Sequence, residues 1–228
     1  LVPVDRPIER PAELVSLTLE LSGFAQDLPL LTSPVQKAER LEGAKVLFAI
    51  DNALPRDAAA TTGEESRDMQ PYLAATDRIL ADNPEILRLK TEILCGTEEP
   101  RTAVEKLVRW VADSVEDAIT DSQSPLETLA KGSGNCQSHA RLYASLARAA
   151  GIPTRYVSGI VYAEGKGFLY HSWAESYVGY WLPVDPTFRE VPANPTHIKL
   201  AEGDSPADLA PLAAVIGAIR ARVVEVKY

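Results

Sequence analysis

The segment from Gly132 to Pro153, GSGNCQSHARLYASLARAAGIP, constrains the fold more than any other part of this sequence. Its pattern predicts a helix from Cys136 to Ala150, which Gly151 ends and Pro153 keeps from restarting. Apolar or small residues cover two faces of this helix and leave a narrow polar strip of Arg141, Ser145 and Arg148. A helix of this kind is mostly buried, so the rest of the chain has to build a core around it.

The first residue of the predicted helix, Cys136, is a candidate nucleophile. The unpaired N–H groups at a helix start and the positive end of the helix dipole favour a thiolate over a thiol. The same N–H groups are placed to hold the oxyanion that forms when the sulfur attacks a carbonyl. The preceding GSGN is small enough for a substrate backbone to approach. A lone cysteine is also commonly a small buried hydrophobe, so this stretch alone leaves both interpretations open.

The overall composition excludes several classes of function. A chain of 228 residues with 46% apolar and 24% charged residues is typical of a soluble globular protein with a sizeable core. The net charge of -9 repels polyphosphate, so nucleic acid is not expected as a partner. No apolar run approaches the roughly 18 residues that cross a bilayer. The first residue is Leu rather than Met, which is typical of a trimmed or processed chain whose targeting segment would be invisible.

The first 70 residues are predicted to be rich in β-structure. Alternation over residues 13–21 places Val15, Leu17, Leu19 and Leu21 on one face of a half-buried strand. A second strand is predicted over residues 45–50, and the aperiodic stretch from Asp51 to Arg67 is predicted to be a linker or long loop. We therefore expect a small β-rich region over residues 1–70, followed by a separate core over residues 71–228.

Helical signals begin after this region. Asp82 and Asn83 before Pro84 form a cap signal, and Gly96 ends the predicted helix. Pro100 begins a second helix with one apolar stripe, and Ser124 with Glu127 predicts a capping box for a third.

A candidate base and its orienting acid lie downstream, in FLYHSWAESYVGYWLPVDPTF, which is predicted to form two strands around a turn. If the reversal is centred on Val178, His171 falls directly opposite Asp185 and both point to the same face. A two-residue turn at Gly179 and Tyr180 would instead pair Asp185 with Ala174, so that Asp185 would point to the face opposite His171. A nucleophilic cysteine requires such a histidine, held by a carboxylate.

Other residues compete for these roles. His139 lies one turn after Cys136 and is expected to be a structural histidine, while His197 follows a loop and is expected to be solvated. Cys95, at a helix end before Gly96, is expected to be structural because nothing basic is near it in sequence. The hairpin aromatic residues could line a groove, although strand aromatics are more commonly core: Tyr170, Trp173, Tyr177 and Trp181.

These motifs, in this order, resemble the core of the transglutaminase-like superfamily. The resemblance covers about residues 71–188: a cysteine at a helix start, a Gly-Ile-Pro-x-Arg turn into a strand, a His-x-Trp strand and an Asp-Pro-Thr hairpin. It implies an α+β, papain-like fold in which the cysteine helix packs on an antiparallel sheet, preceded here by the β-rich N-terminal region. It also implies a triad of Cys136 as nucleophile, His171 as base and acid, and Asp185 as orienting carboxylate.

The resemblance implies chemistry on peptide or amide bonds through an acyl-enzyme thioester. Hydrolysis, as in a cysteine protease or amidase, is favoured over cross-linking, and a protein or peptide is the expected substrate. No cofactor is expected, and no animal-type calcium site can be matched. The second oxyanion donor of the family is not assigned, because Trp110, the upstream tryptophan, lies in an amphipathic helix and is expected in the core. An extracytoplasmic bacterial protein is expected.

Two alternatives to a thiol enzyme stay open. The chain could be a catalytically inactive module that keeps the fold and binds a peptide in its groove. Less favoured is a zinc protein, in which Cys136, His139, His171 and Asp185 supply four ligands, because their spacing fits no compact zinc motif.

Overall fold

A computed structural model describes residues 1–26, 28–53, 68–215 and 217–228. Its helices are α1 (Pro84–Leu94), α2 (Pro100–Ser114), α3 (Pro125–Lys131), α4 (Cys136–Ala149) and α5 (Pro206–Val215). Most of the linker predicted from Asp51 to Arg67 lies outside the described residues. In the part of the chain that the structure describes, no helix has the length and apolarity needed to cross a membrane.

The strands form two four-stranded sheets and one short pair. Their bounds are β1 (Ser16–Ser22), β2 (Gln36–Leu41), β3 (Lys45–Asp51), β4 (Glu116–Asp117), β5 (Ser133–Gly134), β6 (Thr154–Ala163), β7 (Gly167–Tyr177), β8 (Trp181–Val184), β9 (Ile198–Glu202) and β10 (Arg220–Lys227). One sheet has the order β10-β1-β3-β2 and another β8-β7-β6-β9, while β4 and β5 pair in parallel. The expected α+β class with antiparallel sheets is confirmed.

The described chain forms two compact units that are interleaved in sequence. The first unit contains β1, β2, β3, Val157–His171 and Asn194–Tyr228. The second contains α1 to α4, the segment that ends at Tyr156, and Ser172–Ala193. The division of the chain into residues 1–70 and 71–228 stays a prediction.

The first unit is built around the predicted strand β1. Leu17, Leu19 and Leu21 alternate along it and are fully buried, as the sequence pattern predicts. Val15 lies before the strand begins and is 43% exposed, so its expected place on the buried face is wrong. On one side β1 pairs antiparallel with β3, a strand that the sequence predicts. On the other side it pairs with β10, a strand that was not predicted.

The helices of the second unit begin at the predicted signals, and α1 and α4 also end just before the predicted glycines, Gly96 and Gly151. The Asn83 side chain accepts a hydrogen bond from the Glu85 N–H at the start of α1, and Ser124 and Glu127 form the predicted capping box of α3. Pro84 and Pro100 each occupy the first turn of their helix, where a missing N–H has no cost.

Helix α4 is buried along almost its whole length, as its two apolar faces predict. The expected polar strip is buried as well: Arg141, Ser145 and Arg148 are each 8% exposed or less. Two of these residues are satisfied internally, because Arg148 donates to the Thr154 and Ala74 carbonyls and Ser145 accepts from the Leu80 N–H. The buried Nε of Arg141 has no hydrogen-bond partner among the described residues, and its guanidinium lies 5.8 Å from the Tyr156 ring centroid.

The helix also packs on the sheet within the second unit. The Tyr143 and Ser176 hydroxyls are 2.7 Å apart, and Ser176 also lies 2.9 Å from the Thr154 hydroxyl. Burial raises the pKa of Tyr143, so this phenol stays neutral. The helix-on-sheet packing expected of a papain-like core is therefore present.

Candidate functional site

Cys136 is the first residue of α4, as predicted, and its thiol is free and partly exposed. The preceding residue, Asn135, caps the helix: its side-chain oxygen accepts a hydrogen bond of 3.0 Å from the Ser138 N–H. The Asn135 amide nitrogen donates to the Thr120 carbonyl at 2.9 Å, which fixes the cap from the other side. The cap was missed in the sequence, although asparagine directly before a predicted helix is a strong N-cap signal.

The tip of α4 presents unpaired backbone donors beside the sulfur. Within the described residues, the N–H groups of Cys136 and Gln137 have no hydrogen-bond partner, whereas those of Ser138 and His139 bond to Asn135. Unpaired donors at a helix start attract an anion, either a thiolate or the oxyanion of a tetrahedral intermediate.

Gly134 explains part of the glycine-rich approach to the cysteine. A Cβ atom at this position would lie 2.6 Å from the Cβ of Ser138, which is too close for any side chain. The glycine therefore lets the approaching strand β5 contact the first turn of α4.

His139 cannot serve as the base while it keeps the contacts it has. It is 1% exposed, and its two ring nitrogens lie 2.9 Å from the Asn135 carbonyl and 3.1 Å from the Val115 carbonyl. Both ring positions are thus occupied by groups that only accept hydrogen bonds, which agrees with the expected structural role. The same contacts count against a zinc set that includes His139, because a ligand nitrogen would have to leave a carbonyl.

Asp185 follows β8 and is fully buried. One carboxylate oxygen accepts hydrogen bonds from the N–H groups of Thr187 at 2.7 Å and Phe188 at 3.1 Å. The backbone of Asp185 also exchanges two hydrogen bonds with Glu190. These bonds hold the carboxylate in one orientation, which an acid that orients a histidine requires.

The hairpin between β7 and β8 has a register that neither prediction anticipated. Tyr177 pairs with Trp181 and Ala174 with Val184, so the three-residue loop is centred on Gly179, whose φ is +95°. Continued by one step, this register sets Asp185 against Trp173, so the predicted direct opposition of His171 and Asp185 is wrong. Gly179, with its positive φ, is the central residue of the loop rather than its last, so the reversal lies one residue beyond Val178.

His171 lies in β7 and belongs to the first unit. It is 7% exposed, and its ring centroid is 5.9 Å from that of His197 in an edge-to-face arrangement. His197 itself is 5% exposed, so the expected solvated position is wrong. The Asn194 side chain accepts from the Thr196 N–H, and the resulting turn carries His197 to the start of β9.

The hairpin aromatic residues divide between core and surface. Trp173 and Trp181 are each 1% exposed, and the Arg155 guanidinium lies 3.6 Å from the Trp181 ring and pairs with Glu175. Tyr170 and Tyr177 are half-buried. Trp110 is also half-buried and lines a cavity of about 450 Å³ with Leu89 and Ile93, so the expected core position is wrong.

Part of the chain matches the model of a protein family. Residues 88–186 match the model of the Transglutaminase-like superfamily. The protein of Mycobacterium leprae (strain TN) described as "Uncharacterized protein ML0607" is 31% identical over 132 residues, which cover 52% of this chain and 46% of that protein. This chain thus matches only about half the length of that relative.

Solved structures show the same fold. One, from Cytophaga hutchinsonii and provisionally assigned as a cysteine protease, has a TM-score of 0.55 and 17% identity and covers 94% of this chain and 86% of its own. The periplasmic domain of TgpA from Pseudomonas aeruginosa has a TM-score of 0.53 and 15% identity and covers 81% of this chain and 85% of its own. Residues 88–186, a little less than half of the chain, are thus similar to the transglutaminase-like superfamily.

Proposed function

We propose that this protein is a transglutaminase-like thiol enzyme that hydrolyses peptide or amide bonds through a triad of Cys136, His171 and Asp185. The observation that carries the proposal is the tip of α4, where a free, partly exposed cysteine adjoins two unpaired backbone N–H groups. A thiol built only for packing needs neither exposure nor unpaired donors beside it.

The hairpin supports the assignment of the other two residues. In the observed register Asp185 falls opposite Trp173. Its side chain therefore lies on the same face of the sheet as those of Trp173 and Glu175 in β7. Side chains alternate between the two faces of a strand, so His171, two residues before Trp173, lies on the same face as Trp173. The acid and the histidine would then be diagonal rather than directly opposite, a separation that aspartate and histidine side chains can span.

The proposed reaction has two halves. His171 takes the proton of the Cys136 thiol, and the thiolate attacks the substrate carbonyl while the N–H groups of Cys136 and Gln137 hold the oxyanion. The C–N bond then breaks, and the amine leaves with the proton from His171. Water, deprotonated by His171, attacks the resulting thioester, so that a carboxylic acid is released and the thiol is restored.

The choice of hydrolysis over transamidation depends on whether water or an amine reaches the thioester. We favour hydrolysis because the structural neighbour from Cytophaga hutchinsonii carries a provisional protease assignment. The TgpA neighbour is a periplasmic domain, so we also propose that this chain acts outside the cytoplasm.

A peptide library tests the reaction class. The protein is incubated with the library with and without a primary amine, and the products are read by mass spectrometry. We expect cleaved peptides in both samples and no turnover by Cys136→Ala. Amine-linked products would show a cross-linking enzyme instead. Full turnover by Cys136→Ala would contradict the mechanism, and no turnover by the native protein on any peptide would favour an inactive binding module.

A further inference from the structure

The segment from Glu116 to Asp121, called here the 116–121 segment, carries an unusually exposed apolar side chain. Ile119 is 108% exposed, more than any other large apolar residue in the described part of the chain. The second unit exposes only two others among its described residues, Leu87 at 40% and Phe188 at 48%. A single exposed apolar residue is ordinary, so the significance of Ile119 depends on its position.

The 116–121 segment is fixed directly against the approach to Cys136. The Glu116 and Ala118 N–H groups donate to the carbonyls of Gly132 and Gly134 at 2.9 and 3.0 Å. Further along, the Thr120 carbonyl accepts from the Asn135 cap at 2.9 Å. Hydrogen bonds on both sides of Ile119 thus hold its backbone next to the residues that immediately precede the nucleophile.

The side chain of Ile119 is suited to bind rather than to pack. Its β-branched side chain has few rotamers and loses little entropy when a partner covers it. In the free protein the whole apolar surface of this side chain is exposed to water. This exposure is unfavourable, and a polar residue at this position would not have that cost.

The charged residues within the 116–121 segment all have the same sign. Glu116, Asp117 and Asp121 are all exposed, and no lysine or arginine occurs between Val115 and Ser124. The described residues provide no salt-bridge partner for these three acids. A segment with an apolar centre and acidic flanks complements a ligand with an apolar group beside a positive charge.

We propose that the 116–121 segment selects peptide substrates in which an apolar side chain lies next to a lysine or arginine. Ile119 contacts the apolar side chain, and the flanking carboxylates attract the basic one. The inference rests on the proposed function, because it assumes that a substrate bound at Cys136 extends over the adjoining segment.

Alkylating dipeptides test this proposal without requiring turnover. The protein is treated separately with the N-iodoacetyl derivatives of leucyl-lysine, leucyl-glutamate and seryl-lysine, and with iodoacetamide. The alkylation rates of Cys136 and Cys95 are measured by mass spectrometry. Cys95 is exposed and lies in the same chain, so it supplies the reference for the intrinsic reactivity of each reagent. We expect leucyl-lysine to react with Cys136 at least about fivefold faster, after this correction, than either other dipeptide.

Two sets of variants locate the effect. Ile119→Ser should remove the preference for leucine over serine, and the double variant Asp117→Asn, Asp121→Asn should remove the preference for lysine over glutamate. Leu87→Ser removes an exposed apolar residue from α1 and should leave both preferences unchanged. The iodoacetamide rate at Cys136 is measured in each variant and serves as the reference for its dipeptide rates, because this reagent carries neither side chain.

The outcomes separate this inference from the proposed function. If iodoacetamide reacts faster at Cys136 than at Cys95 but the three dipeptides react alike, the inference is wrong and the proposed nucleophile stands. If iodoacetamide reacts no faster at Cys136 than at Cys95, the proposed function itself is contradicted. Preferences that persist in Ile119→Ser and in the double variant would assign recognition to another surface and overturn the inference.

Discussion

At the scale of single residues, Asp185 has two separable tasks in the proposed mechanism. Its carboxylate accepts the N–H groups of Thr187 and Phe188, and we propose that it also orients His171. An asparagine can still accept those two N–H groups through its amide oxygen but brings no negative charge to the histidine. The structural and catalytic tasks can therefore be measured apart.

For Asp185→Asn we expect near-native stability and a fall in kcat of about 10⁴-fold, the usual effect of this change at the orienting aspartate of a triad. Asp185→Ala removes the acceptor as well, so it should in addition lower the free energy of unfolding by about 1–3 kcal/mol. Denaturant unfolding and steady-state kinetics on a substrate from the library check both values. Native kcat in a folded Asp185→Asn protein would remove Asp185 from the mechanism.

At the scale of secondary-structure elements, the start of α4 is the feature that makes Cys136 accessible. The Asn135 cap fixes the first turn, and the Thr120 carbonyl fixes the cap. Ser124 caps α3 in the same way and, within the described residues, hydrogen-bonds only to Glu127 and Thr128, so it provides a matched control.

Asn135→Ala and Ser124→Ala should each lower the free energy of unfolding by about 1 kcal/mol, the usual effect of losing a cap. Only Asn135→Ala should also slow the alkylation of Cys136 by iodoacetamide, because it loosens the turn whose N–H groups favour the thiolate. Equal alkylation rates in the two variants would show that the cap has no influence on the nucleophile.

The elements also show what the sequence could and could not predict. The helices α1 and α4 were predicted with both ends, and α3 with its start, because their signals are local, such as Pro84 after an Asn cap or Gly151 at a helix end. Strand β10 was missed because it is stabilised by pairing with β1, some 200 residues earlier, which no local pattern reports.

For the candidate residues, the element that carries each one was predicted better than the pairing between those elements. The positions of Cys136 at a helix start and of His171 and Asp185 near a hairpin follow from local pattern and from the family resemblance. The register was not predictable, because the sequence around Gly179 is compatible with a two-residue loop and with a three-residue loop centred on either Val178 or Gly179. The burial of His197 depends on the placement of β9, which the local sequence does not determine.

At the scale of the whole molecule, carboxylates with lowered pKa values make the free energy of unfolding depend on pH. Hydrogen bonds from Arg222 and Lys45 hold the pKa of Glu20 below its ordinary value of 4.5, although partial burial opposes this shift. Hydrogen bonds from their helix starts likewise lower the pKa of Glu99 and Glu127. A carboxyl with a lowered pKa stabilises the fold above its ordinary value, and this contribution is lost as the pH falls through the folded-state pKa.

We therefore expect Glu20→Gln to be less stable than the native protein at neutral pH, by less than about 1 kcal/mol, because its partners are exposed. The difference should shrink as the pH falls below 4.5, the ordinary pKa of this group. Glu39→Gln changes an exposed residue in β2 of the same sheet and is the control. Urea unfolding between pH 3 and pH 7 measures the difference, and a difference that grows in acid would contradict the assignment.

The central claim is that Cys136 is an activated thiol served by His171. The most direct test is the rate of iodoacetamide alkylation at Cys136 and Cys95 as a function of pH, in the native protein and in His171→Ala. We predict that Cys136 reacts well below pH 8, where Cys95 barely reacts, and that His171→Ala removes this low-pH reactivity. Identical pH profiles for the two cysteines, or an unchanged profile for Cys136 in His171→Ala, would contradict the account.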